Sequence, residues 1–245
     1  MDKQIVEFRD LGKMDYKTAW DYQDVLMKKN LAAKTEVGSW PSAGTGSTNN
    51  HPPSTVNYLL FVEHPPVYTL GKSGKMGHLL INEAARQAKG IEFYETNRGG
   101  DITFHGPDQI VGYPILDLEK FYTDIGRYLR ELEEVIILTL NEYGIWAGRS
   151  PGETGVWIDA LIKGRERKIC AMGVRCSRWI TMHGFALNVN TDLTYFNHII
   201  PCGIQNKKVT SLKEELSKQV DLAEVKEKLK RNFEKVFNVE LKEDE

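Results

Sequence analysis

The sequence predicts an α/β fold of the α+β type, a mixed and partly antiparallel sheet flanked by helices, on three observations. Apolar runs of strand length recur through the chain. One long stretch repeats its apolar residues at helical spacing, and the strands come in runs rather than in strict alternation with helices. In order, Ile5 to Phe8 reads as a short strand and Asp15 to Lys29 as a helix with Ala19, Tyr22, Leu26 and Met27 near one face. Residues 39–55, "SWPSAGTGSTNNHPPST", cannot bury enough to offset their ordering entropy and read as a mobile surface insertion. "YLLFVEH" (58–64) is a buried strand, Pro65-Pro66 its turn and "VYTLG" its partner. A short helix spans Asn82 to Gln87. Strands at Glu92–Thr96 and Ile102–Phe104 flank the Arg98-Gly99-Gly100 turn, and Ile110 to Leu116 is another. Asp124 to Tyr143 is the long amphipathic helix, with Gly144 as its C-cap. "GVWIDALI", "RKICAMGVR" and "HGFALNV" are three more strands. Ser211 with Glu214 and Asp221 with Glu224 have capping spacing for two C-terminal helices. The whole, 1–245, suits a single domain of ordinary to generous size, with two small domains as the alternative.

Composition narrows the function. Among 245 residues, 32 Lys and Arg against 34 Asp and Glu give a net charge of -2, which is no nucleic-acid signature. No apolar run approaches the ~20 residues of a membrane span, and the charged N-terminus lacks a signal-peptide core. Three cysteines, without a C-x-x-C pair, fit neither a disulfide framework nor zinc, so a reduced cytoplasmic setting is expected. No two histidines have H-x-x-x-H spacing, and neither a metal nor a cofactor is expected.

Several residues suit chemistry. Arg98-Gly99-Gly100 does not fit a nucleotide loop, but its glycines let a ligand approach the backbone closely; the bland alternative is a tight hairpin with a solvated arginine. His64 and His105 read first as satisfied structural histidines. Lys168 opens an apolar strand, and strict alternation puts Lys168, Cys170 and Met172 on one face. A lysine in a half-buried site can act as a base or lower the pKa of a thiol. Cys170 and Cys176 fit small buried hydrophobes. Cys202, between Pro201 and Gly203, has the rigid setting of a nucleophile and is nominated first, Cys170 second.

Taken together and in order, "HPPVYTLG", "RGGDITFHGPDQ", "GVWI", "KICAMGVR", "HGFALNV" and "IIPCGI" resemble the lipoyl(octanoyl) transferases, from about Gly12 to Leu212. The resemblance implies the α/β catalytic domain shared with biotin- and lipoate-protein ligases. It implies transfer of an octanoyl group from octanoyl-acyl carrier protein to a lysine of lipoyl domains, those of the 2-oxoacid dehydrogenases and the glycine cleavage H protein. Its acyl-accepting cysteine falls on Cys202 and its thiol-activating lysine on Lys168. Its substrate contacts fall on Arg98, Gly99, Gly100, Asp101, Ile102, Thr103, Phe104 and His105, on Ala171, Met172 and Gly173, and on Gly184, Phe185 and Ala186. Two positions depart: Asp108 stands where glycine is usual, and Cys170 where alanine is usual.

The mechanism so implied is a ping-pong acyl transfer through a Cys202 thioester, with Lys168 handling protons and backbone N–H groups near Gly173 and Cys202 as oxyanion donors. Lys163, Arg165 and Arg167, with Lys207 and Lys208, are the expected docking surface for acidic partners. The alternatives are an ATP-dependent lipoate- or octanoate-protein ligase, a cysteine amidotransferase between lipoyl domains, a non-catalytic module that binds acyl carrier protein, and a cysteine hydrolase using His198.

Overall fold

The computed structural model describes residues 3–39, 54–200 and 208–243. Most of the 39–55 insertion, Cys202 and Lys207 lie outside the described residues. The chain runs β1 (Gln4–Lys13), α1 (Tyr16–Ser39), β2 (Asn57–Glu63), β3 (Val67–Leu70), α2 (Glu83–Ala88), β4 (Glu92–Glu95), β5 (Ile102–His105) and β6 (Gln109–Ile115). Then come α3 (Ile125–Asn141), β7 (Ala147–Gly148), β8 (Val156–Ile158), β9 (Arg167–Ser177) and β10 (Ile180–Asn188). The last elements are β11 (Lys208–Val209), α4 (Leu212–Leu216), α5 (Leu222–Phe237) and β12 (Val239–Glu243).

Strands pair in the order β12-β1-β2-β6-β10-β9-β8-β7, with β11 added to β9, so the large sheet is mixed. It is covered on both faces. Leu59 and Phe61 of β2 face the α3 and α5 side, where Leu132, Ile136, Leu229 and Phe233 pack. Leu60 and Val62 face α1, against Leu26 and Met27. That double burial is why β2 is almost continuously apolar rather than alternating. Asp124, which caps α3, accepts from the Arg127 N–H at 2.9 Å, and Gly144 ends the helix at φ +73°.

Two strand pairings differ from expectation. Both edges of β2 are taken, by β1 and β6, and Pro65-Pro66 supplies no N–H to a hairpin ladder. β3 therefore leaves the large sheet and becomes the centre of a second one, ordered β4-β3-β5. β4 and β5 lie on opposite sides of β3, so the Arg98-Gly99-Gly100 loop crosses an end of the small sheet instead of closing a hairpin. Ile102 and Phe104 turn to one side, against Tyr68 and Phe196. The alternate residues Thr103 and His105 turn to the other, toward the large sheet.

A third difference lies in β9. Trp157 pairs with Lys168 but Val156 with Cys170, which leaves Ile169 as an extra residue in a β-bulge. The bulge breaks strict alternation. Ile169 and Cys170 both enter the α3-side core, and Lys168 falls in phase with Ala171 and Gly173 instead of with Cys170 and Met172.

Asp108 sits at φ +60°, following Pro107, with the Gln109 N–H returning to the Gly106 carbonyl at 3.3 Å. Proline then left-handed is the order of a type II turn, which explains why glycine suits this position. Asp108 is exposed and does not line the cavity described below.

Candidate functional site

Between the α1-side face of the large sheet and the small sheet lies a cavity of about 580 Å³. Its floor is built by β9 and β10. Ala171 pairs with Ala186 and Gly173 with Gly184, and cross-strand partners share a face. The floor is thus a trough of alanines and glycines, while Met172 and Phe185, paired with each other, pack the α3-side core behind it. Size is dictated by contact. A Cβ on Gly173 would stand 2.6 Å from the Gly99 carbonyl oxygen, and one on Gly184 would stand 2.1 Å from that of Gly112.

The opposite wall is the glycine-rich loop. Arg98 is not solvated; it is buried and fastens the loop from beneath. Its guanidinium donates to the Thr69 carbonyl at 2.6 Å, to Asp101 O at 2.8 Å and to Gly99 O at 3.0 Å. Gly99 N–H donates to Val174 O at 2.9 Å, which binds the loop along β9. Arg98 through Thr103 and His105 all line the cavity, as do Ala171, Gly173, Gly184 and Ala186; Met172 and Phe185, although packed against the α3-side core, border it as well, as do Ile125 and Leu129 of α3. Phe104 does not. Its ring stacks on Tyr195 at 4.6 Å, on the far side of β5, because it alternates with His105.

Lys168 stands at the end of the trough, 8 % exposed, its ammonium 4.6 Å from the centre of the Trp157 ring across the β8–β9 pair. Gly155 passes close beside it at φ +115°, where a Cβ would meet the Cys170 carbonyl at 2.6 Å and the Lys168 Cε at 3.5 Å. Glu133 of α3, fully buried, accepts from the Gly155 N–H at 2.9 Å and pairs with Arg130 and Arg149. Cys202 lies outside the described residues. The described residues before it run to Ile200, whose N–H donates to His78 O at 2.8 Å; those after it begin with Lys208, opposite Arg167 and next to the Val209–Lys168 pair. Cys170 is fully buried among aliphatic side chains, and burial pushes its thiol well above the usual range, which disfavours the thiolate.

Tyr16, Ser73, Tyr113 and Glu153, unmarked by any sequence motif, complete the walls together with Asn188. A hydrogen-bond chain of fixed direction runs from Arg98 through Asn188 to the strand of Lys168. Arg98 donates to Thr69 Oγ1 at 2.9 Å, so that hydroxyl donates onward to His105 Nε2 at 3.3 Å. His105 Nδ1–H donates to Gln109 Oε1 at 2.9 Å, Gln109 Nε2 to Asn188 Oδ1 at 2.8 Å, and Asn188 to Thr210 O at 3.0 Å. Thr210 N–H in turn donates to Lys168 O at 2.9 Å. His64 is satisfied by Met14 O and the Tyr113 hydroxyl, each at 2.8 Å. Burial holds all three cavity-side histidines neutral: His64 is pushed down to about 4, His183 to about 3, and His105 well below the imidazole range.

The basic stretch at 163–167 is less free than its sequence suggests. Arg167 pairs with Glu215 and with Asp159, each at 2.6 Å, and Arg165 pairs with Asp159 at 3.2 Å.

Relatives fit this geometry. The lipoyl protein ligase A/B catalytic domain model matches residues 15–234. An octanoyltransferase of Christiangramia forsetii is 58% identical over 243 residues, spanning 99% of both chains. One of Flavobacterium johnsoniae is 56% identical over 98% of this chain and 100% of its own. Among solved structures, the bipartite lipoate protein ligase of Thermoplasma acidophilum superposes with a TM-score of 0.66 at 17% identity, over 98% of this chain and 87% of that one. Lipoate-protein ligase A bound with ATP gives 0.63 at 16% identity, over 100% and 89%. At such identities these two speak for the fold alone. On the family match and the near-complete span of its relatives, the chain belongs to the lipoyl protein ligase A/B catalytic-domain family.

Proposed function

We propose that the alanine–glycine trough receives the octanoyl chain and that Lys168 and Cys202 carry out its transfer, within one catalytic domain. The chain is an acyltransferase of the octanoyltransferase kind, serving protein lipoylation; the observation that carries this is 58% identity to an octanoyltransferase along 99% of both chains. Its acceptors are lipoyl domains, with 2-oxoacid dehydrogenases and the glycine cleavage H protein supplying them, and its donor is octanoyl-acyl carrier protein. No helix among the described residues is long and apolar enough to cross a membrane. A cytoplasmic setting is part of the proposal.

The chemistry runs in two steps. Lys168 takes the Cys202 proton or steadies its thiolate, which attacks the octanoyl thioester; the donor C–S bond breaks, and the carrier sulfur leaves with the electron pair and takes up a proton. The octanoyl carbonyl then passes to the acceptor lysine, and turning a thioester into an amide is downhill, so no ATP is drawn on. The trough gains ~0.8 kcal/mol per buried CH₂, enough to hold an eight-carbon chain without a polar anchor at its end.

Intact mass spectrometry after incubation with octanoyl-acyl carrier protein alone tests this. One octanoyl adduct is expected in the wild type and in Cys170→Ala, and none in Cys202→Ala. An adduct that survives Cys202→Ala, or none in the wild type, defeats the reading. A second result is expected at the floor. Ala186→Leu fills the trough beside Ala171, and overpacking of ~1–3 kcal/mol should lower kcat/KM for octanoyl about 10- to 100-fold. Butanoyl donors should be spared. Equal losses for both lengths would mean that the trough does not hold the chain.

A further inference from the structure

One titratable pair at the cavity mouth is used by neither step. The mouth is formed where residues 71–78 lie along the glycine-rich loop. Gly71, Lys72 and Ser73 N–H groups donate to Asp101 O, Arg98 O and Gly100 O at 3.2, 2.9 and 3.1 Å. Ser73 and Gly100 are exposed and also line the cavity, so they mark where it opens. There His78 Nδ1 lies 2.6 Å from Asp101 Oδ2, while Asp101 Oδ1 accepts from the Ile102 N–H at 2.7 Å. Asp101 lines the cavity, and the His78 side chain is 21% exposed.

This geometry fixes a tautomer. A carboxylate only accepts, so Nδ1 carries a proton, and the neutral ring keeps its lone pair on Nε2. Asp101 is itself held at its other oxygen, which fixes the direction of the imidazole. An oriented imidazole with a bare Nε2, partly open to solvent and within one carboxylate of a reaction cavity, is built to take a proton. The transfer proposed above has such a need. An acceptor lysine arrives as an ammonium at neutral pH and cannot attack until it loses a proton.

We propose that His78, oriented by Asp101, is the base that deprotonates the acceptor lysine at the cavity mouth. The proton passes from the ε-ammonium to His78 Nε2. The freed nitrogen lone pair forms the C–N bond at the acyl carbonyl carbon, the C–S bond breaks, and the sulfur leaves with the electron pair and takes up the second amine proton. The imidazolium then returns its proton to water. Lys168 serves the thiol and His78 the amine.

The inference rests on the acyl-enzyme reading, and single-turnover kinetics separate the two. Wild type and His78→Asn are charged with octanoyl-acyl carrier protein, then discharged by a lipoyl domain or by hydroxylamine, which is already unprotonated at neutral pH. Asparagine can still donate to Asp101, so it preserves the clip and removes the base. The expected result is acyl-enzyme formation within twofold of wild type, unchanged discharge by hydroxylamine, and discharge by the lipoyl domain slowed ~10²–10⁴-fold, the range of general-base catalysis. Lipoyl-domain discharge at the wild-type rate in His78→Asn, with loss only in His78→Ala, would make the pair a structural clip and overturn the proposal. So would equal slowing with both nucleophiles, or slowed acylation. No adduct in the wild type would instead remove the reading on which it stands.

Discussion

Replacing Lys168 with methionine should slow formation of the octanoyl-enzyme ~10²–10⁴-fold while leaving the fold intact. Methionine fills a similar stem volume against Trp157, so the β8–β9 pair and the close pass of Gly155 are preserved. What is lost is the only ammonium lining the trough among the described residues. Lys168→Arg separates two roles. A guanidinium keeps the positive charge but does not give up its proton. If Lys168 acts only by stabilising a thiolate, arginine should restore much of the rate; if it relays a proton, arginine should be nearly as slow as methionine. Rapid-quench mass measurement of the adduct reads both. A methionine variant with the wild-type acylation rate would remove Lys168 from the mechanism.

Acid should unfold the protein at the upper end of the range where carboxylates titrate, through its buried histidines. His64, His105 and His183 are buried and neutral, with folded values of about 4, well below the imidazole range, and about 3. In the unfolded chain each titrates near 6.5. Below that pH the unfolded state binds protons that the folded state refuses, so stability is intact above pH 6.5 and falls as pH drops toward the folded values. Each histidine contributes ~1.4 kcal/mol per pH unit inside its window, and three together ~4 kcal/mol per unit. A domain's whole stability is ~5–15 kcal/mol, so unfolding is expected near pH 4–5. Urea midpoints at pH 7.5, 6.0 and 5.0 should fall steadily, and His64→Gln should flatten the fall by about a third. A midpoint flat down to pH 5 would show that one or more of these rings gains its proton inside the fold.

Most helices were legible from the sequence because their signals are local. Asp124, Ser211 and Asp221 cap where their spacing says, and the apolar faces of α3 and α5 repeat at helical intervals. The strands were legible as segments but not as partners. Nothing near Pro65-Pro66 says that both edges of β2 are already occupied, since β1 and β6 come from elsewhere in the chain. The same limit applies at Lys168. Its alternation with Cys170 is broken by a bulge that is visible only once β8 is set alongside β9. The site stretches were legible through a resemblance of whole motifs, which marks backbone runs and not side-chain directions. Phe104 illustrates this, lying in a motif yet pointing away from the cavity. Gln109 and Asn188 also lie in motifs, yet a strand amide looks ordinary until its two partners are known.

The pairing of β1 with β12 has a consequence for the order of assembly. Residues 4–8 lie parallel to residues 239–243, so one edge of the first strand stays open until the last strand arrives. During synthesis β1 can dock only on β2, with Ile5 and Val6 beside an unpaired backbone edge. A strand in that condition invites a neighbouring chain. The nascent protein therefore carries this open edge until residues 239–243 are made. Loss of residues 239–243 should show first as poor yield in the cell rather than as a weaker enzyme.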